Sequence, residues 1–188
     1  RFPPEAATRT KVGGLIDPDI ERIISLKPDL VVVYGTQSDL RTQMERAGIP
    51  IFLYQHSGLT DITSTIRDLG ARVGRVRESR ELADRIEADI DAVRKRVAGR
   101  PRPRTLLVFG RDAETLRGIY ASGGIGFLHD MLEAAGGENV FNDVKRQSIQ
   151  ATSELVITRA PDVIVEIGAD TASSSGRNLG AWNTLASV

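Results

Sequence analysis

The sequence predicts an α/β fold of two lobes, each a parallel sheet covered by helices, joined by one long helix. Three observations carry that prediction: short β-branched runs alternate with segments of helical period, one twelve-position phrase occurs twice, and a long amphipathic stretch lies between the two occurrences.

The first helix is read from Asp17-Pro18-Asp19, an N-cap followed by proline at the first helical position, with Ile20, Ile23 and Ile24 as its apolar stripe. Lys27-Pro28-Asp29 ends it. Leu30-Val31-Val32-Val33-Tyr34 follows as the continuous apolar run of a strand covered on both faces, and Gly35 closes it. A helix from Ser38 to Ala47, capped by Gly48, leads to the next buried strand, Ile51-Phe52-Leu53-Tyr54. Ile62, Ile66, Leu69 and Val73 then keep helical spacing as far as Gly74, and Leu82, Ile86, Ile90, Val93 and Val97 resume it in a new phase. The second of these helices, 77–98, would be roughly 33 Å long at about 1.5 Å per residue, the reach of a spacer between small lobes. Gly99-Arg100-Pro101-Arg102-Pro103 stops it. A strand from Thr105 to Phe109, a Gly-rich turn at Ser122-Gly123-Gly124 and a helix bearing Phe127, Leu128, Met131, Leu132 and Ala135 come next.

The repeated phrase runs Glu21-x-x-Ile24-x-x-x-Pro28-Asp29-Leu30-Val31-Val32 and again Glu154-x-x-Ile157-x-x-x-Pro161-Asp162-Val163-Ile164-Val165, with Gly35 and Gly168 at matching distances beyond. Two copies of one unit predict two similar lobes: an N-terminal α/β lobe at 1–60, helices at 61–102 that include the interlobe linker 77–98, and a C-terminal α/β lobe at 103–188. Both lobes are expected to be Rossmann-like, with parallel sheets.

Twenty-five Lys and Arg balance twenty-five Asp and Glu, and they read as scattered, so no basic face invites nucleic acid. The longest apolar runs have strand length, which predicts no membrane span. The absence of cysteine removes thiol chemistry, disulfides and cysteine-ligated zinc. No G-K-[ST], H-E-x-x-H or nucleophile elbow is present. The sequence therefore predicts neither catalysis, nor a catalytic cofactor, nor a bound metal of the protein's own. The alternative is an α/β enzyme or nucleotide-binding protein using the Gly-rich turn at 123–126, but that turn lacks G-x-G-x-x-G spacing and reads as following a loop.

The phrases Phe2-Pro3-Pro4-Glu5, Glu21 to Val33, Ala121-Ser122-Gly123-Gly124, Gly136 to Phe141 and Glu154 to Val165 span nearly the whole chain. In this order they resemble the vitamin B12-binding and iron-siderophore-binding periplasmic proteins, the substrate-binding components of ABC importers. That resemblance implies two α/β lobes on one long helix, which capture a metal chelate (cobalamin, a ferric siderophore or haem) between them and deliver it to a membrane permease. It also implies a periplasmic or cell-surface lipoprotein location, and a chain truncated at both ends relative to the family.

The resemblance further implies that Glu21 and Glu154, one per lobe, dock onto arginine pockets of the permease. From the residues alone each is an acid complementing a helix N-terminus. Parallel sheets bind ligands at strand C-termini, which here directs attention to Tyr34, Tyr54, His56, Phe109 and Arg111. Phe2 and Tyr34 match positions where relatives place rings against cobalamin, and Ser148 stands near a third such position. Tyr54 and His56 are residue types that hold haem iron. Arg111, Arg117 and Arg146 are candidates to pair ligand carboxylates or phosphate, and His129 reads as structural.

Overall fold

The computed structural model describes residues 4–54, 57–168 and 178–187. The chain forms two compact units, Arg1–Gln55 and His56–Val188, so by their contacts the two helices that follow the second strand belong with the second unit.

The first unit opens with a 3-10 turn at Pro4–Thr8 and continues as α1 (Ile20–Ser25), β1 (Val31–Tyr34), α2 (Ser38–Arg46) and β2 (Ile51–Tyr54). The helix start predicted at Asp17 is displaced to Asp19, whose carboxylate accepts from the Arg22 amide at 3.0 Å. The reason is that residues 12–19 close on themselves. Pro18 bridges to Gly13, the Gly14 amide donates to Asp17 O at 2.9 Å, and the Asp19 amide donates to Val12 O at 2.9 Å. β1 and β2 pair in parallel from Val31–Ile51 to Tyr34–Tyr54. Val33 is buried against Ile23, Leu40 and Met44, which anchor both helices to the sheet.

The second unit begins with α3 (Leu59–Arg72) and the 22-residue α4 (Val76–Val97). Arg67 on α3 pairs with Glu87 at 2.7 Å and Asp84 at 2.7 Å on α4. Beyond them lie β3 (Arg104–Gly110), β4 (Ile119–Ser122), α5 (Phe127–Ala134), β5 (Glu138–Asn139), β6 (Ser148–Ala151), α6 (Ser153–Arg159), β7 (Val163–Glu166) and a 3-10 segment at Leu179–Ser187. β3 is the hub, parallel to β5 and β7 and antiparallel to β4, which in turn pairs antiparallel with β6. The parallel sheet expected here is therefore mixed. A parallel crossover needs about a dozen residues or more, and the short connection 111–118 makes a hairpin instead. The core gathers Leu106, Val108, Ile119, Ala121, Phe141, Ala151 and Val156.

The charges are also less scattered than the sequence suggested. Arg94, Lys95, Arg96, Arg100, Arg102 and Arg104 crowd one stretch. They lie where helices end and carbonyl dipoles collect. Arg102 donates to Gly137 O at 2.6 Å beyond α5, and Arg104 donates to Arg159 O and to Ala160 O at the end of α6.

The Gly-rich turn follows strand β4 directly, contrary to the loop expected, and its glycines serve packing. The Gly123 amide donates to Gln147 O at 3.1 Å and the Gly124 amide to Val144 O at 2.8 Å. A Cβ on Gly123 would lie 2.1 Å from Arg146 O, and one on Gly124 would lie 2.1 Å from Asn142 O. Backbone atoms at such distances cannot rotate away. Gly124→Ala should therefore lower unfolding free energy by about 3 kcal/mol in urea titration, with Gly14→Ala, which has neither a steric contact nor a positive φ, as the control.

The Arg67 guanidinium, joined by the Thr63 hydroxyl, holds the Glu87 carboxyl down at about 2, against an ordinary value of 4.5. A depressed carboxylate contributes stability that is complete above its unfolded value and lost as pH falls toward the folded one. The melting temperature should thus decline between pH 4.5 and 2. Glu87→Gln should lower it at pH 7 and flatten that decline, as followed by circular dichroism.

Candidate functional site

In the first unit Tyr34 and Tyr54 are register partners at the C-terminal ends of parallel strands, with ring centroids 5.7 Å apart and planes tilted by 49°. Beside them, the Gln37 side chain accepts from the Tyr34 amide at 3.0 Å and donates to Leu15 O at 2.8 Å. That bracket ties the strand end to the turn carrying Leu15 and Ile16, which are 60% and 98% exposed. A cavity of about 430 Å³ lies here, lined by Leu15, Ile16, Ile20, Thr36, Gln37 and Leu40 among others. Phe2 and His56 lie outside the described residues.

In the second unit β3 slips register between Val108 and Gly110, a bulge centred on Phe109. Bulges re-aim side chains at sheet margins. Phe109 sits 6.4 Å from the Tyr120 ring and lines a cavity of about 280 Å³ with Phe127, Leu128, Gln147 and Ser148. Two of the predicted residues, Phe109 and Ser148, thus come together. Arg146, the residue before Gln147, is exposed.

Arg111 does not present its charge to this cavity. Its side chain is fully buried, paired with Glu166 at 3.0 Å, and it also donates to the carbonyls of Asp112, Ala113, Thr115 and Asn178. With every N–H engaged, no donor remains for a ligand carboxylate. His129 lies 3.2 Å from the Asn139 amide nitrogen through Nδ1. Asn139 is itself buried and donates to Gly123 O at 2.8 Å, so His129 accepts there and is structural. Among the described residues, no group of three or more His, Asp or Glu side chains is placed to hold a metal ion.

Sequence reasoning missed the Leu15–Ile16 turn, Gln37, Tyr120 and Gln147. For the turn a signal existed, since Gly13-Gly14 and Asp17-Pro18 flank the apolar pair with turn-forming residues. Phe127 and Leu128 were visible only as one face of a helix.

The two glutamates occupy matching local structures. Glu21 is the second residue of α1 and Glu154 the second of α6; Asp19 and Thr152 cap these helices through the amides of Arg22 and Leu155. Both glutamates are exposed, while Ile23 and Val156 below them are buried. Its own backbone amide, then the Thr152 hydroxyl, hold the Glu154 carboxyl below the usual carboxylate range. The helices also end alike. Lys27 at φ 48° and Ala160 at φ 44°, each before a proline, are the only non-glycine residues of positive φ among those described.

No helix among the described residues is long and apolar enough to cross a membrane. The chain is 30% identical over 169 residues to a vitamin B12-binding protein of Salmonella typhimurium, covering 89% of this chain and 62% of that protein. An ABC transporter substrate-binding protein from Listeria monocytogenes superposes with a TM-score of 0.76 at 27% identity, over 91% of this chain and 65% of that one. A periplasmic heme-binding protein from Roseiflexus sp. gives a TM-score of 0.74 at 25% identity, over 93% and 68%. The chain thus spans less than two thirds of the B12-binding and Listeria relatives. These relatives are binding proteins, not enzymes, and their fold is the α/β class that the repeat and the long helix predicted. The model for periplasmic binding proteins matches residues 1–176, and with both halves of the repeat inside that match the chain belongs to the periplasmic binding protein family.

Proposed function

We propose that this chain is the ligand-capturing part of an extracytoplasmic ABC-importer receptor, periplasmic or held at the cell surface as a lipoprotein, for a metal chelate of the cobalamin, ferric-siderophore or haem class. The observation that carries the reading is the pair of aromatic strand-end surfaces. Tyr34 and Tyr54 form one beside a 430 Å³ cavity, and Phe109, Tyr120 and Phe127 cluster about the other. Such surfaces suit a broad, flat, largely apolar ligand that carries its own metal, with the exposed Ser148 and Arg146 beside them for its polar rim. Relatives named for vitamin B12 and for heme support the same class. The nucleotide alternative loses its footing because the Gly123 and Gly124 amides are spent within the fold.

Delivery requires a permease, and Glu21 with Glu154 are its docking points. Each exposed carboxylate starts an equivalent helix in its own unit. A carboxylate offered twice in the same setting fits two equivalent arginine pockets on a two-subunit permease.

Adding hydroxocobalamin, haemin or a ferric siderophore should quench the emission of Trp182, the one tryptophan, with saturable affinity for one class. Failure of all three to bind would contradict the reading. Glu21→Lys with Glu154→Lys should abolish association with permease-containing proteoliposomes while ligand affinity stays within about threefold, because rim charges govern partner encounter rather than ligand capture. Loss of ligand binding in that double variant would return both residues to a structural role.

A further inference from the structure

We infer that Arg111 is a positioning residue for the second unit's aromatic surface: through its buried pair with Glu166 it sets the 112–118 loop, and with it the Phe109–Tyr120 rings. The inference rests on reading that surface as a ligand face.

The side chains of Arg111 and Glu166 are 0% and 6% exposed. Arg111 Nε and Nη2 both donate to Glu166 Oε2, at 3.1 and 3.0 Å. Nη1 reaches Asp112 O at 2.8 Å, Ala113 O at 3.2 Å and Thr115 O at 3.2 Å, while Nη2 also reaches Asn178 O at 3.1 Å. One guanidinium thus gathers three loop carbonyls, a neighbouring strand and the 178–187 segment. Trp182 completes the arrangement, its Nε1 donating to Glu166 Oε2 at 3.0 Å and its ring lying 5.5 Å from the guanidinium carbon.

Stability alone does not account for the pair. Replacing a buried ion pair by apolar side chains of similar volume is often neutral or stabilising. The repeat illustrates the point within this chain, because Glu166 corresponds to Val33, which is fully buried in the apolar core of the first unit. A strand at this place tolerates valine. What the charged pair adds is direction, since the planar fork fixes where the loop carbonyls sit.

That direction matters because the ladder cannot supply it. Phe109 is the bulged residue between Val108 and Gly110, so strand pairing leaves its orientation under-determined. Its neighbour Tyr120 is reached through the loop that Arg111 holds. Within that loop the Asp112 carboxylate accepts from the Glu114 amide at 3.1 Å and the Thr115 amide at 2.9 Å, and the Asp112 amide donates to Arg117 O at 3.0 Å. Loop, bulge and ring pair therefore stand on one buried guanidinium.

The test uses the whole chain with Arg111→Lys, which keeps the charge but not the fork, and with Arg111→Met plus Glu166→Leu, which removes both charges. Amide hydrogen exchange, Trp182 emission and titration with haemin and hydroxocobalamin are followed together. In both variants the amides of Asp112, Glu114 and Thr115 should lose about tenfold or more protection while Leu106 to Val108 keep theirs. Emission should shift, and the affinity for whichever ligand binds the parent should fall about fivefold or more, with the melting temperature of the double variant near the parent's. If the parent binds neither of these nor a ferric siderophore, the functional reading fails and the positioning role is decided by exchange and emission alone. Unchanged loop protection in Arg111→Lys, unchanged affinity once the loop has loosened, or a collapse of protection throughout the sheet in both variants would overturn it.

Discussion

The reversal from helix to strand through Lys27-Pro28-Asp29 and again through Ala160-Pro161-Asp162 is the constraint on which each unit depends. A left-handed residue other than glycine costs on the order of 1–2 kcal/mol, yet both reversals place one before the proline. The helix runs toward the turn and the strand runs away from it. Consequently the helix N-terminus and the strand C-terminus lie at the same edge of the unit. Burial of Ile23 against Val33 in one copy, and of Val156 in the core beside β7 in the other, holds that arrangement. An exposed helix-start carboxylate and a strand C-terminus are thereby set at one edge by the same local motif in each unit, Tyr34 ending the strand in one and Glu166, with its buried side chain, in the other.

Much of this was legible in the chain itself. The apolar runs at 31–34 and 163–166 marked strands, and Pro-Asp after a short amphipathic helix marked the reversal, but the cover expected on both faces is present on one, since Val32, Val163 and Val165 are 50%, 41% and 40% exposed. The long helix was visible in phase and length, to within a residue at each end. The aromatic character of the strand ends followed from topology once the strands were known.

What stayed hidden depends on contacts distant in sequence. β6 carries a mixed pattern, Ser148-Ile149-Gln150-Ala151, whose strand character comes from pairing with β4. Arg111 looks like any strand-end arginine, and only the approach of Glu166, 55 positions away, converts it from a ligand donor into a buried brace. The same holds for the Gly-rich turn. Its glycines are demanded by the carbonyls of Asn142 and Arg146, and no local rule distinguishes that need from phosphate binding. Nor did the sequence show that Arg102 and Arg104 donate to the carbonyls of Gly137, Arg159 and Ala160 at helix ends far along the chain.

The central proposal is that aromatic side chains at the strand ends of each unit are surfaces for a metal chelate. The most direct measurement is carbon-13 spectroscopy of the chain labelled at Tyr and Phe, titrated with haemin and with hydroxocobalamin. Tyr34 with Tyr54, or Phe109 with Phe127, should shift and saturate with the ligand, while Phe141, fully buried in the core, stays fixed. Saturable binding that leaves all four of those rings unmoved would contradict the account.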